Sequence, residues 1–492
     1  VIIEHLPVSV ILVYCIAALL MPIARMVHKS GMVLTALSAA YLAVGCSILT
    51  LIKTLEEGVL RYSVGGWAPP IGIELVADPL SAFFLLVVNL VAAVVLSQSV
   101  LNTKLASDTH TMSFQACQML MLAGFSGIIG TGDLFNLFVF LELSALASYA
   151  VLGNGSGRAA HSTFRYLIIG TIGASFYLFG LGFLYAETGS LNMGDVSRIL
   201  ALNGMGMPAQ IAFSFIVIGI WLKMALLPLH QWLPDVYTDA PAMSTALVAP
   251  IGTKVAVYVL LRMLYGVFPG ESALGILYEV LCWAGAVAII WGSVMAIPQN
   301  NFKRMLAYSS VAQIGYIVLG IGMATPFGFI GAVLHVFNHA LMKACLFLFS
   351  ARVESSGSGT DLDQFSSRVR LKFPVATACF TVAAISMIGL PPTAGFFSKW
   401  YLLLGSYSNG DWIFIAVILV SSLLNAVYFF RLIEKLYLKT PESESAEDSH
   451  GAQIRPSRKN LGMLIFAISI LISGLFNVWI VRTLIEPMLP SF

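Results

Sequence analysis

Apolar runs of about 20 residues recur along the whole chain, separated by short polar connections. Each run can cross a bilayer as a helix, which satisfies its backbone hydrogen bonds internally, and about fourteen such helices are predicted. Their approximate spans are 6–27, 31–53, 78–101, 111–130, 134–153, 161–186, 208–230, 241–268, 275–297, 302–323, 326–352, 373–404, 411–438 and 461–485. The pattern predicts an all-α polytopic membrane protein. Three stretches fall outside it. Residues 56–77 carry Arg61–Gly66 and Ile71–Val76 around Pro69-Pro70, the layout of a small extramembrane hairpin. Residues 192–203 fit a short surface helix, and the polar stretch 441–459, acidic then basic, reads as a mobile loop.

Composition agrees with this pattern. Of the 492 residues 58% are apolar and 10% charged, against roughly 25% charged in a soluble domain, and the mean hydropathy is +0.89. No basic domain or recognition motif points to nucleic acid, and no Rossmann or P-loop fingerprint points to a nucleotide. The six cysteines, Cys15, Cys46, Cys117, Cys282, Cys345 and Cys379, stand singly without a CxxC. They read as small buried thiols rather than zinc or iron–sulfur ligands. No cofactor or metal is expected. The first apolar run lacks a cleavage-site pattern and reads as a retained helix.

The net charge of +2 matters less than where the charges fall. With fourteen helices both termini share one face. Roughly seventeen basic residues, among them Arg25, Lys29, Lys104, Arg158, Arg165, Lys303, Arg304, Arg370, Lys439 and Arg455, then sit on the opposite face, and about five (Lys53, Arg61, Arg198, Arg262 and Arg482) on the termini's face. The positive-inside rule therefore puts both termini outside.

Four lysines remain, Lys223, Lys254, Lys343 and Lys399, all within apolar runs. Each is costly there by roughly 2.5–3.5 kcal/mol or more, which makes it a functional candidate. The seventh helix carries Lys223 and then Pro228, and the twelfth carries Pro391-Pro392 and then Lys399. Proline breaks a helix, and breaks at membrane depth are tolerated where they face protein or a wet cavity. Two broken helices five apart suggest two five-helix units, the second inverted because the unit is odd. The implied segments are 1–110 with the hairpin, 111–270, 271–440 and 441–492.

Further groups join the lysines. Glu142, expected to be buried in the fifth helix, needs a partner or a proton, and Lys223 is its expected partner, as a working switch or as a plain structural ion pair. Lys254 lies near mid-span, which favours a water-lined relay over snorkelling to the headgroups. His335, His339 and Lys343 stand at i, i+4 and i+8 on one helix face, where histidines can pass protons both ways. Two histidines at that spacing can also bind zinc, but no carboxylate or cysteine accompanies them. Lys399 is a candidate terminal protonation site or, alternatively, a cap on the carbonyls of the broken helix.

The stretch His230–Arg262, HQWLPDVYTDAPAMSTALVAPIGTKVAVYVLLR, resembles the signature of the antiporter-like subunits of respiratory complex I and its relatives. Glu142, Lys223, Lys254, the histidine-bearing eleventh helix and GLPPTAGFFSKW (389–400) match as well. Within that group TGDLFNLFVFLELSALASYAVL (131–152) most resembles the D subunit of Mrp-type multisubunit sodium/proton antiporters, with similar subunits in membrane-bound hydrogenases. The chain is expected to lack the lateral helix and C-terminal extension of the largest members. The resemblance implies a proton-translocating subunit in a prokaryotic inner membrane, surrounded by other membrane subunits and lipid. The alternative is the proton-pumping subunit of a redox complex. The residues suggest how: Glu142 and Lys223 form a pair that can close and open, and protons pass from Lys254 by water through His339 and His335 to Lys399. Sodium prefers oxygen ligands and is assigned elsewhere in the assembly.

Overall fold

The computed structural model describes residues 3–28, 30–102, 109–268, 271–355, 357, 359–438 and 458–490. Lys29, Lys104, Lys439, Arg455 and nearly all of the 441–459 connection lie outside the described residues. Helices α1 (Leu6–Val27) and α2 (Gly31–Glu57) lead into an antiparallel hairpin, β1 (Leu60–Ser63) and β2 (Glu74–Ala77). Then come α3 (Pro79–Asn102), α4 (Thr109–Gly130), α5 (Leu134–Leu152) and α6 (Gly157–Thr188). The short α7 (Met193–Asn203) precedes an interrupted crossing made of α8 (Met207–Lys223) and α9 (Trp232–Asp239). Four long helices follow: α10 (Ala242–Arg262), α11 (Glu271–Ala296), α12 (Phe302–Gly322) and α13 (Pro326–Glu354). After the short α14 (Ser367–Lys372), α15 (Pro374–Ile388) and α16 (Ala394–Ser408) form a second interrupted crossing. The chain continues through α17 (Trp412–Tyr437), α18 (Leu461–Leu475) and α19 (Asn477–Ile480).

Among the described residues 12 helices are long and apolar enough to span a membrane. Two shorter apolar helices, α8 and α15, open the interrupted crossings. The expected crossings are all present, as are the hairpin over residues 60–77 and the surface helix beginning near residue 192. The cysteines are all free, but Cys15, Cys46 and Cys117, on α1, α2 and α4, are only half-buried.

The helices are not equally enclosed. In the most apolar windows of α12 and α13, 94% of residues are buried, and 89% in that of α10, against 33% in α2 and α17. The first three therefore form a core sheathed by the others, and a charge on α10 or α13 faces protein rather than lipid. Close backbone approach makes this possible. A Cβ on Gly285 of α11 would sit 2.8 Å from Gly315 O of α12, and one on Gly315 only 2.7 Å from Gly285 O. Small residues at such crossings are how membrane helices pack without a hydrophobic drive.

Each rim of the bundle is tied by polar contacts. At one, Leu75 bridges to Thr131 and Asp133 to Asn192. Buried Glu74 holds Arg61 at 3.0 Å and Asn192 at 3.1 Å. Asp78 takes both guanidinium nitrogens of Arg262 at 2.6 and 3.0 Å. Burial alone would raise the Asp78 carboxyl, but Arg262 and Ser81 outweigh it and hold it below the ordinary carboxylate range. At the other rim Asp235 joins Arg165 of α6 at 3.2 Å to Arg304 of α12 at 3.1 Å. Lys303, expected at a helix end among the loop charges, is only 5% exposed and donates to Ala240 O at 2.8 Å.

Replacing Gly315 by leucine should force α11 from α12 and destabilise the protein by about 1–3 kcal/mol or more. Thermal unfolding in detergent reads this. Gly45→Ala, where a Cβ would meet nothing within 4 Å, is the silent control.

Candidate functional site

The first interrupted crossing ends its leading helix on Lys223 itself. The break thus begins at Met224, ahead of the expected Pro228, and passes through Ala225 in a left-handed conformation (φ 56°). Two indoles donate to carbonyls at the break, one of which, Leu222 O, also accepts from Ala225 N–H at 3.2 Å. Trp232 Nε1 donates to Leu222 O at 3.1 Å and Trp221 Nε1 to Leu227 O at 3.0 Å. Trp232 is held in place by stacking on Tyr166, with ring centroids 3.9 Å apart.

Lys223 Nζ lies 3.6 Å from Glu142 Oε1, so the expected pair is brought together. It is loosely held, since neither of these atoms has a hydrogen-bond partner. Glu142 is not buried as expected. Its side chain is 30% exposed, on the α5 face that also exposes Phe135, Val139 and Leu146. This face is directed away from the chain's own core. Beside Lys223, Gly170 of α6 makes room for the Tyr149 hydroxyl. A Cβ there would sit 2.1 Å from Tyr149 Oη and 3.7 Å from Lys223 Nζ.

On the other side of Lys223 is a cavity of about 40 Å³, bordered by Ser144, Ser148, Tyr166, Tyr237 and Thr253. It has room for about one to three water molecules and enough polar groups to hold them. Thr253 Oγ1 has no other partner and precedes Lys254 in the chain. Lys254 is buried in α10 and donates to Ala249 O at 3.0 Å. No direct hydrogen bond joins Lys223 to Lys254 among the described residues, and the cavity reaches from the first lysine to the second one's helix.

The α10 helix that carries Lys254 packs against α13, which carries His335, His339 and Lys343. The two imidazole rings are stacked, with centroids 6.0 Å apart. His335 is fully engaged, with Nδ1 2.9 Å from Ser398 Oγ and Nε2 2.8 Å from Gln313 Oε1. His339 has no partner on either nitrogen. With both His335 nitrogens taken, the pair does not offer a metal two free donors. Lys343 donates to Leu306 O at 2.6 Å and also to Ser309 Oγ.

At the second interrupted crossing, α15 ends at Gly389 in the left-handed region (φ 93°). The break runs through Pro391-Pro392, as expected. Lys399 Nζ donates to the freed carbonyls of Met387 (3.1 Å) and Ile388 (2.9 Å) and to Ser422 Oγ (3.1 Å). It also lies 4.9 Å from the centre of the Tyr316 ring. The capping geometry raised as an alternative for Lys399 is therefore present. Sequence reasoning missed Gln313, Ser398, Trp221 and Trp232. Gln313 carried a usable signal, as a lone amide in the apolar run 302–323.

Residues 131–425 match the family described as NADH:quinone oxidoreductase/Mrp antiporter, TM. The chain is 43% identical to the N subunit of the NADH-quinone oxidoreductase of Desulforudis audaxviator (strain MP104C), over 99% of both chains. It is 32% identical to the D subunit of the Na(+)/H(+) antiporter of Alkalihalophilus pseudofirmus, over 77% of this chain and 76% of that one. A chain from the structure of the membrane-bound sulfane sulfur reductase, an archaeal respiratory membrane complex, superposes with a TM-score of 0.88 at 27% identity. The match covers 98% of this chain and 96% of that one.

Trp232→Phe keeps the stacked ring but strips the cap from Leu222 O. It should cost about 0.5–1.5 kcal/mol in thermal unfolding, the net worth of one hydrogen bond, because Ala225 N–H still donates to Leu222 O at 3.2 Å. An unchanged midpoint would mean that the indole hydrogen bond adds nothing to stability.

Proposed function

The chain belongs to the NADH:quinone oxidoreductase/Mrp antiporter family of membrane proteins, and on that premise we propose that it translocates protons as one subunit of a multisubunit cation (Na+)/proton antiporter. The observation that carries this reading is Lys223. It is 10% exposed, ends a broken helix, faces Glu142 at 3.6 Å without a hydrogen bond and borders a polar cavity. A purely structural pair would be expected to close.

The residues supply a mechanism. At this separation, with an effective dielectric near 20, the pair attracts by about 4–5 kcal/mol, and doubling the distance removes about half. That change is comparable to the roughly 2.3 kcal/mol of one charge crossing 100 mV. Opening the pair lets Lys223 hand its proton through the cavity to Lys254. His339 and His335 carry it on, and Lys399 is the terminal site, with Lys343 setting the field beside the histidines. The switch falls in the unit we place at 111–270 with Lys254, and the histidines and Lys399 in the unit at 271–440. Residues 1–110 and 441–492 flank them. Sodium moves elsewhere in the assembly.

A second reading is supported by the 43% identity to an NADH-quinone oxidoreductase subunit over nearly the full length. In it the same path belongs to a redox-driven proton pump. Copurification separates the two: small hydrophobic antiporter subunits favour the first, iron–sulfur proteins the second. In either case the protein lies in a prokaryotic inner membrane, with the hairpin rim and both termini outside.

Lys223→Ala should reduce coupled proton transport to background while the complex still assembles. Full activity in that variant would remove the switch. Lys399→Arg keeps a fixed charge, because arginine does not release its proton at working pH, and transport should fail. Unimpaired transport would make Lys399 only a cap. A cysteine at Trp67, which is 66% exposed on the hairpin, should react with an impermeant maleimide in intact cells. Labelling only after lysis would invert the topology.

A further inference from the structure

A groove of about 440 Å³ runs over the outer surface between α4, α5 and α6, at the rim where α5 ends and α6 begins. One end lies against Gly153 and Asn154 of the α5–α6 turn, and the rest follows Phe114, Phe164 and Leu167. Phe164 is exposed, so this part of the groove is apolar and open.

Helix α6 starts beside the turn end. Ser156, its N-cap, makes no side-chain bond to the first turn, which leaves the leading N–H groups open. Arg158 and His161 follow, both exposed and neither with a carboxylate partner among the described residues. The carboxylates that α6 does meet, Asp235 and Asp239 on α9, bind Arg165 and Ser162 instead. A guanidinium, an imidazole and unused backbone donors thus gather at one end of an apolar groove. That combination favours a phosphate, and nothing there would balance a choline or ethanolamine cation.

The groove wall carries a second signal. Thr163 lines it, is 5% exposed, and its Oγ1 has no hydrogen-bond partner. A buried hydroxyl left in that state costs about 1–3 kcal/mol. Thr163 stands five residues beyond Arg158, which is about 7.5 Å further along the helix axis. In a phospholipid the ester carbonyls follow the phosphate in the same order, and each can accept from a hydroxyl.

We propose that the groove binds one anionic phospholipid of the inner leaflet, its phosphate at the start of α6 with Arg158 and His161, an ester carbonyl on Thr163 and an acyl chain along Phe164 and Leu167. The leaflet rests on the topology proposed above, in which this rim faces the cytoplasm, the side where basic pockets between helices take anionic headgroups. A chain so placed packs on Tyr149, which forms the inner wall of the groove. Tyr149 meets Tyr166 edge-on at 4.8 Å, and Tyr166 carries the stacked Trp232 at the break beside Lys223. The lipid therefore backs the ring ladder that supports the first interrupted crossing.

Photo-crosslinking in proteoliposomes holding the whole complex tests this, with phosphatidylglycerol or phosphatidylcholine carrying a diazirine in the acyl chain. Peptide mass spectrometry should find phosphatidylglycerol on residues 113–117 and 163–167, and about tenfold less phosphatidylcholine. Arg158→Glu together with His161→Glu should lower phosphatidylglycerol labelling of these peptides about tenfold and leave labelling elsewhere in the chain unchanged. Ala160→Trp, at an exposed position lining the groove, should block entry of the chain and give the same loss without altering charge. Equal labelling by the two lipids, labelling that survives either change, or groove peptides left unlabelled beneath a neighbouring subunit overturns the proposal. The assay needs no transport, so full coupled transport in Lys223→Ala would sink the proton path and leave these labels in place. An inverted topology would change the leaflet and not the labelled peptides.

Discussion

An ammonium group withdrawn from water must be given oxygen atoms, and in this chain most of them come from the backbone. Lys254 takes Ala249 O, Lys343 takes Leu306 O, Lys303 takes Ala240 O, and Lys399 takes the carbonyls of Met387 and Ile388. A regular helix keeps its carbonyls for itself. The most generous donor site, at Lys399, accordingly lies where a helix stops. The second broken crossing thus supplies Lys399 with two backbone oxygens at membrane depth without adding further charges.

Lys223 is the exception. Its break is capped by indole N–H groups from Trp221 and Trp232 rather than by the lysine. The ammonium is left with a carboxylate just beyond hydrogen-bond reach and a small polar cavity. Of the intramembrane lysines it is bound least firmly. Such loose binding suits the switch proposed for it better than it suits a strut.

Much of this was legible in the chain. Span lengths, the hairpin, the surface helix and the Glu142–Lys223 pairing follow from apolar run length, turn chemistry and the scarcity of charge. Exposure did not follow: Glu142 sits among apolar neighbours in sequence, but the face it occupies is decided by which helices pack beside α5. Lys303 was hidden for the opposite reason, as a helix-end lysine that the chain folds over. The partners of His335 come from α12 and α16, and no local pattern reports that they meet at one imidazole.

The contact between Gly285 and Gly315 brings main chain against main chain, with no side chains to slide or yield. Helices α11 and α12 therefore touch through backbone at this crossing. Half of α11 faces outward, whereas α12 is almost wholly enclosed. A neighbour seated on the outer face of α11 is thus a single backbone contact away from the enclosed core.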